Sequence, residues 1–447
     1  MYRFWLWLRR PQNTLWATPA LGALFAITMA ALAAVMPRFL LPQDFSFPDI
    51  QLETIDDLLD VLSSSMLAVT TFSLSIMVSA FASASSGATP RATQLVMADD
   101  NTRVAIASFI SAFIYAVIAK TALGMGYYHQ NGRFVLFVAT VLVLIYLIIT
   151  LIRWVFTLSQ LGRMSNTIRK IEQQAKATVA TYRAEPFLGA AGTEPDGEPV
   201  MWLNNHETGY LTHINMAMLN ELASAGNYRL HITVRPGKLL YPGDTLAKLY
   251  GYEPQHQNIK ALRDCFVVQD NRSYDQDPRY GLIILSEVAQ RALSPAVNDP
   301  GTAIKIMTVL ANIMISVKPS RDGQPEVPYY RLSIEPLVEQ DLIVQPFDPM
   351  LRDGAGNLDI AERGQKILAA IWRHAPEQSI REVARWQAKR ALDYHEASDM
   401  LVTDKSFIRE VHHRLFIRSE HGVVDSIWQF DCAKQMRPGE AEPHHDN

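Results

Sequence analysis

The chain has 447 residues, is 49% hydrophobic and carries a formal net charge of −4. That balance, with no Lys/Arg-rich block outside the flanks of its apolar runs, excludes a cationic nucleic-acid binder. Two cysteines, Cys265 and Cys432, stand far apart in no metal or redox spacing, which excludes a disulfide framework and suits a reducing cytosol.

The mean hydropathy of +0.01 hides an uneven spread. Ala, Leu, Ile, Val and Phe dominate residues 15–156, whereas the residues after 162 have the composition of a soluble domain. Runs long enough to cross a bilayer, about 20 residues each, predict four spans. The first covers 15–35 (LWATPALGALFAITMAALAAV), behind a flank carrying Arg3, Arg9, Arg10, Trp5 and Trp7. A cleaved signal peptide competes for this segment, because Ala33-Ala34 imitates a cleavage site. The run is longer than a signal's apolar core and more spans follow, so an uncleaved anchor is expected. The second span covers 61–84, the third 104–126 and the fourth 134–156. Only residues 127–133 join the last two, which forces an antiparallel hairpin.

Basic residues near the span ends set the orientation. Arg3, Arg9, Arg10, Arg91, Arg103, Arg153, Arg163, Arg169 and Lys170 fall on one side. The other side has Arg38 and Arg133, with Asp44, Asp49, Glu53, Asp56, Asp57 and Asp60 in the first loop. Both termini are therefore expected in the cytoplasm of a bacterial inner membrane. Tyr127 and Tyr128 are read as outer interfacial aromatics and Trp154 as an inner one.

At 100° per residue, Ser64, Thr71, Ser75, Ser79 and Ser86 fall within one quarter-turn of the second span. This hydroxyl stripe has two readings: a pore lining built by symmetric copies of the helix, or a tightly packed helix contact through small residues. Lys120, about 9 Å below the outer boundary at Gly126, also has two. Its stem can snorkel to the interface, or its charge can act in a permeation path, favouring anions at the outer mouth.

Beyond the spans, 158–181 predict a polar helix, followed by a loop rich in Gly, Pro and acid from Ala184. A strand at 201–204, a helix at 212–224 and strands at 228–234 and 245–250 follow. The two later strands are separated by the turns Pro236-Gly237 and Pro242-Gly243. The segment VRPGKLLYPGDTLAKL looks like the β module of biotinyl or lipoyl carriers, but it lacks a carrier lysine flanked by methionine, and no cofactor is expected.

The stretch QDPRYGLIILSEVAQRALSPAVNDPGTA from Gln276 resembles the signature of an uncharacterised bacterial family of predicted membrane proteins, domain of unknown function twenty-two fifty-four. GYLTHINMAMLNELA from Gly209, the Pro-Gly β segment and the four-span N-terminal part also fit, so the resemblance covers most of the chain. It implies a membrane protein with a cytoplasmic α+β domain and brings no established activity. Within the signature, 281–293 have helical periodicity that Ser294-Pro295 interrupts. Asp299 is a natural N-cap and Pro300 a natural first residue for a second helix through Val317. Alternatively Arg291, Ser294, Asn298 and Asp299 form a ligand corner: an anion on the helix N-terminus and Arg291, or a cation on Asn298 and Asp299.

Further on, 330–344 suggest strands and 358–374, 379–396 and 406–417 suggest helices, before a tail from Arg437 read as disordered. No HExxH, G-x-S-x-G, P-loop or dinucleotide fingerprint occurs, so neither a metal site nor an enzyme is expected. The expected fold is a membrane all-α four-helix transmembrane region followed by a cytoplasmic α+β domain. The expected divisions are 1–160 for the spans, 161–200 for a juxtamembrane helix and linker, 201–275 for a small α+β module, 276–430 for a helix-rich domain and 431–447 for the tail. The leading functional expectation is an oligomeric channel or transport-like protein in contact with lipid and a small ion or solute. Its rival is a membrane-anchored sensor or scaffold.

Overall fold

The structure, a computed structural model, describes residues 50–92, 100–128, 130–159, 163–252, 256–318 and 327–416, with single positions earlier in the chain. Apart from Ala20, Leu24, Ile27 and Thr28, which are helical, the expected span at 15–35 lies outside the described residues, as does the tail from Arg437. Three described helices are long and apolar enough to cross a membrane, over Leu52–Ser83, Val104–Gly124 and Asn131–Leu158. They belong to α1 (Leu52–Gly87), α2 (Asp100–Gly124) and α3 (Gln130–Leu158).

Helix α1 buries Ile55, Leu59, Leu62, Met66, Ser73, Met77 and Ala80, and α2 buries Ala105, Phe109, Ala112, Ala116, Ala119 and Leu123. Steps of three and four residues on both helices make the seam of a coiled-coil-like pair, and the alanines of α2 let the backbones approach. Helix α3 closes the bundle with Leu136, Leu147 and Trp154. The turn that leads α2 back into α3 has Gly126 at φ +74° and the Tyr127 amide donating to Ala122 O. The hairpin is as expected.

Three details at the span ends differ from expectation, the first being Tyr128, expected at the outer interface but 3% exposed and packed in the bundle core. Glu53, Asp56, Asp57 and Asp60 are not in a loop but in the opening turns of α1. Carboxylates are favoured there by the helix dipole, and Ile55 and Leu59 are already at core spacing. Trp154 is not an interfacial anchor: it is 2% exposed, and its indole Nε1 donates to the buried Ser73 hydroxyl at 2.8 Å.

Helix α4 (Met164–Ala184) leads away from the spans into two further cores. The first is a β module containing β1 (Met201–Asn204), β2 (Gly209–Ile214), α5 (Met216–Ala225), β3 (Tyr228–Ile232), β4 (Leu239–Leu240), β5 (Thr245–Gly251), α6 (His256–Asp264) and β6 (Phe266–Gln269). A later strand, β7 (Leu332–Ile334), returns to it. One sheet has the order β1-β5-β3-β7, antiparallel except for the parallel β3–β7 pair. The other is the antiparallel β4-β2-β6. Residues 212–214, expected to be helical, are the end of β2. The helix starts only after Asn215, whose side chain accepts from the Met218 amide at 3.1 Å.

The second core is helical. It joins α4 to α7 (Tyr280–Leu293), α8 (Pro300–Ser316), α9 (Asp341–Asp353), α10 (Leu358–His374), α11 (Gln378–Ala397) and α12 (Val402–Phe416). The strands expected over 330–344 reduce to β7, and from Asp341 the chain is helical. Ala88 and Ala92, immediately beyond α1, are fully buried in this core. The membrane helix is thus built into the polar domain rather than strung to it.

Candidate functional site

On α1 the hydroxyl stripe points away from the bundle. Ser64, Thr71, Ser75 and Ser79 are all exposed, and by helix geometry they lie about 180° from the buried seam. Ser64 and Thr71 donate to their own helix, to Asp60 O at 2.8 Å and Leu67 O at 3.0 Å. Their lone pairs remain outward. Ser86 falls in the last turn of the same helix, with its side chain outside those described. The exposed face also carries Val61, Leu67, Phe72, Leu74 and Val78. It is therefore an apolar surface with a polar seam, suited to protein contact or a narrow wetted path.

Lys120 meets Asp60 at 2.5 Å and Asp56 at 3.5 Å, tying α2 to the first turns of α1. Two carboxylates oppose one ammonium, so Lys120 presents no unopposed positive charge and no preference for anions follows from it. The sequence concealed this pair because the two acids seemed to lie in a loop.

The signature forms the corner between α7 and α8, and it brings Arg291, Ser294, Asn298 and Asp299 together. Ser294 Oγ donates to Arg291 O at 2.7 Å, and the Asn298 and Val297 amides both return to Ser294 O. Asn298 adopts φ +48°, a left-handed turn that asparagine tolerates, and this aims the Asp299 amide at Ala292 O, 2.8 Å away. Asp299 then caps α8. Its Oδ1 accepts from the Thr302 amide at 3.0 Å and its Oδ2 from the Thr302 hydroxyl at 2.6 Å. Those hydrogen bonds hold the Asp299 carboxyl below its ordinary range. The donors at the N-terminus of α8 are thus taken by the chain's own carboxylate, and an added anion would have to displace it. Among the described residues no His, Cys, Asp and Glu group is placed to hold a metal ion. Arg291 is exposed and enters no ion pair among the described residues.

Sequence reasoning missed the links that anchor this corner. Asp277, 1% exposed, is held by Arg272 and by Arg279 at 3.1 Å, and Arg279 also reaches Asp341 at 3.3 Å. Gly237 (φ +94°) lies so close to this knot that a Cβ would meet Asp277 Oδ2 at 2.0 Å. Gly281 packs directly on α4, where a Cβ would come 2.6 Å from Ala175 Cβ. Arg91 pairs with Glu287 on α7. At the other end of α4, the buried Arg183 bonds Met314 O (3.1 Å) and Val317 O on α8 and pairs with Glu377 at 2.6 Å. An acid–arginine spacing such as Asp277–Arg279 is visible in sequence, but its other partners are not.

Between the end of α4 and the start of α11 lies an open cavity of about 530 Å³, lined by Tyr182, Phe187, Leu337, Val383, Glu339 and Glu382. Burial pushes the Tyr182 hydroxyl up to about 12, so it stays protonated at neutral pH.

Residues 12–370 match the family model described as Predicted membrane protein (DUF2254). An uncharacterized protein of Mycobacterium bovis is 23% identical over 316 residues, covering 68% of this chain and 60% of that protein. An uncharacterized protein of Mycobacterium tuberculosis matches with the same figures. The match thus spans 60% of the length of these curated relatives. No solved structure matches the chain.

Proposed function

The chain belongs to the DUF2254 family of predicted membrane proteins, and on that footing we propose that it is an oligomeric channel or transport-like protein of a bacterial inner membrane. The observation that carries this reading is the direction of the α1 stripe. Ser64, Thr71, Ser75 and Ser79 face away from α2 and α3, where a second copy of α1 can meet them across a symmetry axis. Few helices enclose little volume, so the path forms between subunits. The basic residues flanking the spans favour a topology with both termini in the cytoplasm. Burial of Ala88 and Ala92 in the helical core, with the Arg91–Glu287 pair, gives the polar domain a rigid grip on α1. Assembly or regulation by that domain is then direct.

Full-length protein reconstituted in liposomes should pass small ions, and Ser75→Leu with Ser79→Leu should cut the flux by about tenfold or more by closing the polar seam. A particle that stays monomeric in mild detergent and conducts nothing contradicts the proposal. A second reading, a membrane-anchored sensor, draws on the cavity beside Tyr182. Its apolar walls and two carboxylates suit a ligand with an apolar body and a cationic group. Under that reading the double leucine variant behaves as the wild type does.

A further inference from the structure

Two independent sets of contacts fix how far the signature corner stands from the membrane. The start of α4 lies beside the end of α1: a Cβ on Gly87 would meet Met164 Cε at 3.3 Å. The α1 span ends at Ser83, so Met164 stands about 6 Å beyond it at 1.5 Å per residue. That depth falls in the headgroup layer, which adds roughly 5–8 Å on each side of the hydrocarbon.

Helix α7 starts with Gly281 against Ala175, about 16 Å further from the membrane along α4. It then reaches Arg91, eight residues past the span end, with Glu287. It therefore runs back toward the bilayer, and its length to Leu293, about 18 Å, returns it to the level of Met164. Helix α8 gives the same answer from the other side. Its last turn is held by Arg183 through Met314 O and Val317 O, about 28 Å along α4, and its own length of about 24 Å brings Pro300 back to within about 5 Å of the Met164 level.

The tip at this level carries an apolar run beside the exposed Asn298 and Asp299. Pro295, Ala296 and Val297 are all exposed, and Val297 is 50% exposed. Ser294 spends its hydroxyl on Arg291 O and the Asp299 carboxylate is held by Thr302, while Asn298 and Asp299 stay exposed beside the apolar run. Arg291 stands one turn away, exposed and outside any ion pair among the described residues, and Arg163 is exposed at the start of α4. An apolar tip flanked by cations is the composition of a segment that seats in a headgroup layer containing anionic lipid.

We propose that the 294–299 corner is a membrane-surface contact, in which Pro295, Ala296 and Val297 enter the interface of the bilayer the spans cross and Arg291 binds the phosphate of anionic lipid. The contact steadies the turn between α7 and α8. Helix α7 also holds Arg91, four residues beyond α1, through Glu287, so the composition of the surface is felt just past the point where the span leaves the membrane.

The test uses the full chain in lipid nanodiscs, carrying Cys432→Ser, with a nitroxide on Val297→Cys. The buried Cys265 is checked for labelling in the protein without the added cysteine. A second label on Val338→Cys, 59% exposed and next to the cavity-lining Leu337 at the far end of α4, is the water-facing control. In discs containing phosphatidylglycerol, the ratio of oxygen to nickel-complex accessibility should be severalfold higher at 297 than at 338. Arg291→Glu should lower that ratio in these discs and leave it unchanged in pure phosphatidylcholine. A label at 297 as open to the nickel complex as the control overturns the contact. A label shielded from both reagents overturns it as well, because protein rather than lipid then covers the tip. No effect of Arg291→Glu in the anionic discs overturns the headgroup assignment.

Discussion

Gly281 and Asp299 have different reasons for being what they are. Gly281 sits where α7 touches α4, and a methyl group there would lie 2.6 Å from Ala175 Cβ and 3.0 Å from its Cα. Backbone cannot yield as a flexible side chain does, so Gly281→Ala should destabilise the domain by about 1–3 kcal/mol. Ala175→Gly should recover part of that loss, with denaturant midpoints of the two variants as the readout. Asp299→Ala should cost about 1 kcal/mol through loss of the α8 cap, and Asp299→Asn or Asp299→Ser much less. A pure cap allows that exchange, whereas a site that needed the carboxylate charge would not. The cap was legible as Asn298-Asp299-Pro300, because capping is local chemistry. The glycine was legible only as a helical residue, because its reason is a partner more than a hundred positions earlier in the chain.

At the scale of elements, α1 is decided by which of its hydroxyls is buried. The sequence sets Ser73 among many serines and threonines on one helix. Only packing separates it, by placing Trp154 Nε1 at 2.8 Å from its oxygen. Trp154→Phe removes that donor and should weaken the α1–α3 contact by about 0.6–1.7 kcal/mol, measured by reversible unfolding in mixed micelles. Ser75→Ala, on the open face, should change this stability little. Two helices of the polar domain were readable almost to the residue: α10 starts and ends where the pattern put it, at Leu358 and His374, and α11 within one residue at each end. Short elements were not. The end of β2, residues 212–214, was absorbed into the helix that follows it because its apolar residues continue into Met216 and Leu219. The start of α9 passed for strand, although its Leu342, Ile343 and Phe347 are at helical spacing and all buried. The acidic opening of α1 was read as loop because charge outweighed the spacing of Ile55 and Leu59.

In the whole molecule, the polar domain and the spans share structure, since Ala88 and Ala92 close one helical core with α4, α7 and α8. That core carries histidines kept neutral by burial. His412 is lowered to about 4, chiefly by desolvation, and His395 is lowered by burial against the opposing effect of its bond to Ala355 O. In the β module burial also lowers His231. An unfolded chain takes up these protons near the ordinary value of 6.5, while the native state resists until about 4 at His412. The unfolded state therefore binds more protons within that window, and stability falls as pH drops through it. With the discount due to a half-buried His412, the loss should reach about 1–3 kcal/mol, seen as a melting temperature that declines from pH 7 to pH 4. What the sequence told of the whole was membrane residence and a polar domain behind it. Apolar length and charge asymmetry are properties of the chain alone, whereas the two-faced character of α1 depends on what packs against it. The most direct test of that character is a cysteine scan of α1 in native membranes with a membrane-impermeant thiol reagent. Modification is expected at Ser64, Thr71, Ser75 and Ser79 and protection at Leu74 and Val78; uniform protection along the stripe, equal to that at Val78, would show that α1 has no wetted face.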